Sequence, residues 1–467
     1  MKKIFILAAA LVAMETTVQA QTEFSNASAI GRGGVMNTFA RDYQTIGVNP
    51  ANLGYRGNAT VSFTFLEGGF GVSSQAFTRD IVGDFLDIDE GETLAMEDRL
   101  RYAKAFTSDN VLNVGADLHT FAISVNLPKV GGFAFSNRQR VLGHAGFNKN
   151  FSELLFLGLD APVAQDKGRN ERVYVSDIFE GTELKASWVN EWNISYGREI
   201  VSLPAVDIYG GVGYRYMQGL ALYDFSVENG VVNAYSASSP ILDFDYEEYL
   251  DDPQFSYSGA NKLLSPVGKG HGFDVGLSAE VAKKINISFS VTDIGNMRWT
   301  ENLLQGQDRG FVFSDIEESA ESYDFEDVAD VAEEIIDTVL AFTPVSELET
   351  DLPTRFRAGV GAKVGSKVEL GLDYVHALNN APGNLSEDFI GLGVDVMPTS
   401  FFRFSTGIST GAGEKVNLPI GITFVAPAYE FGISTRDITA PFAETNPGAS
   451  FAFAFLRFRV GGQQSLL

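Results

Sequence analysis

The stretch Arg355-Phe356-Arg357-Ala358-Gly359-Val360-Gly361-Ala362-Lys363-Val364 alternates without a fault. Phe356, Ala358, Val360, Ala362 and Val364 fall to one side, and Arg355, Arg357, Gly359, Gly361 and Lys363 to the other. Successive side chains of a strand point to opposite faces, so a period of two fixes one apolar and one polar face. A chain of such strands, joined as hairpins behind an export signal, can satisfy its backbone in a bilayer by closing into a barrel with lipid outside and a polar lumen.

The pattern recurs on both sides of this stretch. Phe273, Val275, Leu277, Ala279 and Val281 alternate with Asp274, Gly276, Ser278 and Glu280, then turn at Lys283-Lys284 into Ile285, Ile287, Phe289 and Val291. Further strands are expected at 368–374, 390–396, 402–408, 416–424, 429–435 and 451–460, and, less regularly, at 60–65, 69–77, 111–127, 132–141, 184–200, 206–216 and 222–236. The expectation is an all-β antiparallel transmembrane barrel of about 14 strands, within a range of roughly 12 to 16. Short returns at Lys283, Gly365, Pro398 to Ser400 and Pro427 alternate with long links at 298–353, 378–387, 410–415 and 437–448. Short periplasmic turns and longer external loops are the habit of outer-membrane barrels, and this order puts the C-terminus on the periplasmic side.

A few short helices are expected in the loops, at 80–106 and 148–157. The link 298–353 carries Asp315, Glu317, Glu318, Glu321, Asp324, Glu326, Asp327, Asp330, Glu333 and Glu334, with no Lys or Arg between Arg309 and Arg355. Val328, Val331, Ile335 and Val339 recur at helical spacing, which predicts an acidic amphipathic helix in an external loop, stopped before Pro344.

Lys2 and Lys3, the apolar run Ile4 to Ala13, and Val18-Gln19-Ala20 read as a secretory signal peptide over 1–20, with the mature chain starting at Gln21. Removing Lys2, Lys3 and Glu15 takes the formal charge from −26 to −27. Such an acidic chain is a poor partner for nucleic acid. The sequence has no Cys, so an oxidising envelope leaves it unaffected. After the signal no run approaches the ~18 apolar residues of a membrane-spanning helix. The expected location is the outer membrane of a Gram-negative bacterium, as a monomer in contact with lipid and lipopolysaccharide.

Ahead of the first strand lie Gly31-Arg32-Gly33-Gly34 and Val48-Asn49-Pro50-Ala51-Asn52-Leu53-Gly54. Asn-Pro starts turns and glycine permits unusual backbone angles, so a folded coil is expected; segment 21–57 could plug the lumen of a barrel over 58–467, or form a turn at its base. The Asn49, Pro50, Ala51 motif in this position is similar to the FadL/TodX group of outer-membrane transporters for long-chain fatty acids and hydrocarbons, whose N-terminal hatch occupies the barrel. The stretch Phe135-Ser136-Asn137-Arg138-Gln139-Arg140, and Val291-Thr292-Asp293-Ile294-Gly295 followed by Trp299, resemble still more a related barrel family known only as a domain of unknown function. The resemblance implies fold and location first, and a hydrophobic small-molecule cargo second. Two features depart from the transporters: the chain runs on past Val460 to Leu467 without a terminal aromatic residue, and the acidic 298–353 loop maps onto no fatty-acid site.

Other groups have plainer readings. In the last strand Phe451, Phe453 and Phe455 share a side with Arg457 and Arg459, and Ala452, Ala454, Leu456, Phe458 and Val460 take the other. Either the phenylalanines line an apolar lumen, or they meet lipid and the arginines anchor at the interface. Asp243, Asp245, Glu247, Glu248, Asp251 and Asp252 lack the glycine of a calcium-binding hand and read as a solvated loop, with loose cation binding as the alternative. Trp188, Trp192, Tyr196, Tyr214, Tyr216 and Trp299 read as interfacial girdle residues. Gly407-Ile408-Ser409-Thr410-Gly411 matches a nucleophile elbow by letter, but a strand follows where that motif needs a helix. His119, His144, His271 and His376 are too scattered for a metal, so no catalytic residue, metal or cofactor is expected. The function that fits is passive transport of hydrophobic small molecules across the outer membrane. The alternative is a non-transporting scaffold, or a partner in secretion or envelope assembly, acting through acidic external loops.

Overall fold

The computed structural model describes residues 24–461 apart from 77, 82–93, 106–110, 169, 243, 260–263, 316–338, 386 and 412–413. The signal peptide and most of the acidic helix expected before Pro344 therefore lie outside the described residues. No described helix is long and apolar enough to cross a membrane.

Fourteen strands close into an antiparallel barrel. They are β1 (Val61–Ser73), β2 (Val111–Leu127), β3 (Gly131–Gly146), β4 (Glu183–Ser202), β5 (Val206–Glu228), β6 (Gly268–Val281) and β7 (Ile285–Trp299) in the first half. The second half adds β8 (Arg355–Val364), β9 (Val368–Ala377), β10 (Phe389–Thr399), β11 (Phe402–Gly411), β12 (Ile420–Val425), β13 (Tyr429–Thr435) and β14 (Gly448–Val460). Each pairs with its neighbour in sequence, and β14 pairs with β1 from Val61↔Val460 to Ser73↔Gly448, which leaves no open edge.

The alternation that defined the strands is the alternation of burial. In β8, Val360 and Val364 are 49% and 53% exposed, whereas Arg355 and Arg357 on the other face are 7% and 6% exposed. The exposed apolar set runs round the barrel through Phe135 (β3), Ile194 (β4), Phe273 (β6), Leu372 (β9), Phe424 (β12) and Phe451 (β14). This is the apolar band of a barrel in lipid, the architecture of Gram-negative outer-membrane proteins.

Several expectations on element boundaries need correction. The expected strands 60–65 and 69–77 are replaced by one strand, β1, which runs over Val61–Ser73 and bends at Leu66, whose φ is 51°. β5 continues through 222–228, and Val231–Ser238 returns alongside it. Within the link 298–353, Leu303–Asp308, Leu340–Pro344 and Leu348–Asp351 are strands that extend the wall above β5 and β7, Phe313–Asp315 is a 3-10 turn, and Val339, the described residue just before Leu340, is helical. Leu340, expected at a helix end, pairs with Asp308 instead. Helices at Met96–Ala105 and Lys149–Leu157 pack together over this extension, with Phe151, Phe179, Phe225, Ala234 and Leu340 in one apolar cluster.

Candidate functional site: an occupied lumen and an apolar cavity in the wall

Residues 24–59 pack against the inward faces of the strands. Asn49 is fully buried; its amide nitrogen donates to Ser288 Oγ at 2.6 Å and to the Phe289 carbonyl at 3.0 Å, while its oxygen accepts from Ala51 N–H at 3.0 Å. Pro50, at the first position of the short 3-10 turn Pro50–Gly54, carries no N–H to satisfy there. The chain fits so closely because glycines leave the wall bare: a Cβ on Gly197 or Gly211 would overlap the Pro50 backbone, one on Gly132 the Leu53 carbonyl, and one on Gly276 the Asn49 amide.

Charged side chains on the polar faces then fill the space around this segment. Arg215, fully buried, donates to Asp274 through Nε (3.0 Å) and Nη2 (2.9 Å), and also pairs with Asp293. Arg138 pairs with Glu191 at 2.8 Å, and Arg140 with Asp117 at 3.4 Å, whose other oxygen accepts from Phe24 N–H at 2.9 Å. Asp373 accepts from Met36 N–H and Asn37 N–H, each at 2.7 Å, and Arg32 pairs with Asp395 at 2.9 Å. The two short motifs that carried the family resemblance thus meet in space: Arg138 and Arg140 come from one, and Asp293 from the other. Gly295, at φ 154°, is held where a Cβ would overlap the His271 carbonyl, so that position needs glycine.

β14 corrects the reading of the last strand. Phe451 and Phe455 are 37% and 40% exposed on the outer face together with Phe453, so they do not line the lumen. Ala452 and Ala454 face inward against Phe24, Ala27 and Ile30. Arg457 and Arg459 also turn inward: Arg457 pairs with Glu430 at 3.2 Å, and Arg459 with Asp42 at 2.9 Å. The arginines are therefore not interfacial anchors. The reason is a register shift between β13 and β14, where Phe455 and Leu456 together oppose Phe431 and the inside-outside phase changes.

The sequence-selected aromatics and acids divide likewise. Trp188 and Trp192 lie on the outer face, but Trp299 is 2% exposed among Met217, Met297 and Leu352, so it is a core residue and not part of a girdle. Ser409 lies within β11, buried against Gly33 of the N-terminal segment. Among the described residues no group of three or more His, Cys, Asp or Glu is placed to hold a metal. Asp251 and Asp252 are exposed; Asp252 accepts from Gln254 N–H at 2.7 Å and Asp245 from Glu247 N–H at 2.9 Å. Asp243 lies outside the described residues.

The site that sequence reading missed is a cavity of about 470 Å³. Leu112, Val114, Ala145, Leu184, Ala186 and Phe225 form its apolar wall, Leu340 and Phe342 flank it, and the loop from Phe244 to Tyr249 covers it. Tyr223, whose hydroxyl meets Ser238 Oγ, and Tyr235, which accepts from Gln305 at 3.1 Å, add polar groups to its lining. In the covering loop, burial pushes the Tyr246 phenol well above its ordinary pKa, so it stays neutral. No local motif announces such a cavity, because its walls come from strands more than a hundred residues apart.

Comparison with solved structures finds barrels of similar fold at very low identity. The Ralstonia pickettii toluene transporter TbuX is 11% identical over 94% of this chain and 99% of its own, with a TM-score of 0.46. The Pseudomonas putida toluene transporter TodX is 9% identical over 95% and 100%, with a TM-score of 0.48. A Pseudomonas aeruginosa FadL homologue is 10% identical over 94% and 97%, with a TM-score of 0.41. No curated protein matches by sequence. A family model does match, over residues 50–435, a range that takes in β1 to β13, the turn after Asn49 and the Arg138–Glu191 and Arg215–Asp274 ion pairs, and the chain belongs to the family of unknown function DUF5723.

Proposed function

We propose that the protein takes up a hydrophobic small molecule at its outer end and passes it passively across the outer membrane. The observation that carries this is the cavity: about 470 Å³, walled by Leu112, Val114, Leu184, Ala186 and Phe225, with a few hydroxyls among its lining. Sites for small ligands are commonly concave, roughly 300–1,000 Å³, and mostly apolar with a small number of orienting polar groups. Residues 24–59 act in this reading as the plug whose displacement completes the route. The test is uptake of the uncharged apolar dye phenylnaphthylamine into proteoliposomes. Ala186→Phe, which fills the cavity, is expected to bring uptake down to the protein-free rate; unchanged uptake would remove the reading.

The packed lumen favours a second reading. Arg138, Arg215, Glu191 and Asp274 are buried in ion pairs beside the N-terminal segment and leave an interior that is polar and filled. A barrel closed in this way could serve as a scaffold or envelope-assembly partner through its external loops. Envelope proteins that co-purify with the intact chain and are lost on removal of 315–349, with dye uptake at the protein-free rate throughout, would decide for it.

A further inference from the structure

Most of the cavity's apolar wall belongs to the outward face of the sheet, with His144, Lys185 and Asp224 of the other set at its border. β3 and β4 pair in one unbroken register from Gly132↔Gly197 to Gly146↔Glu183, so alternate residues keep one orientation along their whole length. Phe133, Phe135 and Ile194 point outward, 41%, 41% and 55% exposed. Gly143, Ala145, Leu184 and Ala186 belong to the same alternate set, and they line the cavity. The pairs Ala186↔Tyr223 and Leu184↔Phe225 carry this face onto β5. Arg138 and Glu191 belong to the other set, so the wall itself stands between cavity and lumen.

Between the lipid-exposed belt and the cavity the outer face carries a row of amides. Asn137 and Gln139 both donate to Asn190 Oδ1 at 2.6 Å, and Asn190 donates to Gln218 Oε1 at 2.7 Å. These groups satisfy one another and mark the upper limit of the hydrocarbon, which tolerates no such row. Trp188 donates to Gln139 Oε1 at 2.9 Å and sits two residues from Ala186, about 7 Å along the strand.

The charges that border the cavity are mostly acidic. Asp245, Glu247 and Glu248 are exposed in the covering loop. Lys185, the cation among the lining residues, gives its ammonium to Glu183 at 2.7 Å. His144 Nδ1 lies 2.5 Å from Asn113 Oδ1.

We propose that this cavity is a side-wall site for an uncharged single-chain amphiphile, of the long-chain alcohol type, which reaches it along the outer face of the barrel and not through the lumen. Asp245, Glu247 and Glu248 turn carboxylates away. The proposal rests on the uptake reading above and names its ligand class and its route. Like charges a few ångströms from a carboxylate head group give an expected preference for the alcohol of about tenfold.

The chain has three tryptophans, which makes the route measurable. Protein in nanodiscs would carry W192F/W299F, keeping Trp188 beside the cavity, or W188F/W192F, keeping Trp299 on the lumen side. Terminally brominated dodecanol and dodecanoate serve as quenchers at mildly alkaline pH, with folding of each variant checked by heat-modifiable migration. Saturable quenching of Trp188 by the alcohol is expected at about a tenth of the carboxylate concentration, with Trp299 unaffected. D245N/E247Q/E248Q is expected to bring the two probes together, and A186F to abolish the saturable signal. Saturable quenching of Trp299 in place of Trp188 would place the ligand in the lumen and overturn the proposed route while leaving uptake standing. Equal quenching by both probes in the unaltered loop would overturn the charge selection. No saturable quenching of either tryptophan would overturn both this proposal and the reading beneath it.

Discussion

Arg215 shows what a single residue does in this lumen. Its guanidinium is shared by Asp274 and Asp293, with Glu191 at 3.5 Å, and it has no contact with water. Pairs like these offset the cost of desolvation only while complete, so removing one partner costs about 3–5 kcal/mol. Arg215→Met is therefore expected to lower the midpoint of urea unfolding in detergent micelles sharply, and an unchanged midpoint would show that water reaches the cluster. Asn49 makes a milder case. Asn49→Ala removes bonds to Ser288, Phe289 and Ala51 and leaves buried wall groups unpaired, at about 1–3 kcal/mol. Faster trypsin cleavage after Arg41 or Arg56 is the expected sign, with the barrel strands still protected. The sequence displayed both residues. That Arg215 would meet Asp274 was not legible, because only strand register brings them together.

At the scale of elements, one row of residues changes the phase of the wall. Leu66 in β1 lies between Thr120 in β2 and Phe455 in β14, as the flanking pairs Phe65↔Phe121, Glu67↔His119, Phe65↔Leu456 and Glu67↔Ala454 fix. On one side of the row Glu67, His119 and Ala454 are buried; on the other, Thr64, Ala122 and Arg457. The outward residues Phe65 and Leu66 are adjacent in sequence, as are Phe455 and Leu456. Strict alternation across such doublets assigns half a strand to the wrong face, which is why β14 read ambiguously and β1 read as two strands. The doublets themselves, two apolar residues interrupting an alternating run, were the available signal. Deleting Leu456 alone should offset the end of β14 against β1 by one residue and turn its side chains over, abolishing the heat-modifiable folded band. Deleting Leu66, Thr120 and Leu456 together should restore that band, since the neighbouring strands then shift as one; failure of the triple deletion would mean that the row is not a single dislocation.

For the molecule as a whole, closure and filling are separate properties. The β1–β14 pairing removes the edges, and the segment 24–59 packs against inward-facing groups of the wall, with Arg32 paired to Asp395 and Asp42 to Arg459. The intact protein is expected to carry no steady ionic current in planar bilayers, and a variant lacking 24–59 to open a polar, cation-selective path, in keeping with its formal charge of −26. A current through the intact protein would contradict the packed interior.

The sequence by itself settled the class of fold. A period of two, repeated strand after strand with polar returns, can bury its backbone polarity in lipid only as a closed sheet, and that inference needs no coordinates. It also singled out Arg138, Arg140 and Asp293 inside short motifs without showing that they meet. What tertiary structure decided is everything that depends on which strand stands beside which, and in what phase. The partners of Arg215, the inward turn of Arg457, and the cavity between β2, β5 and the Phe244 to Tyr249 loop join residues far apart in the chain, and register, which fixes such contacts, is a property of neighbouring strands and not of any one of them.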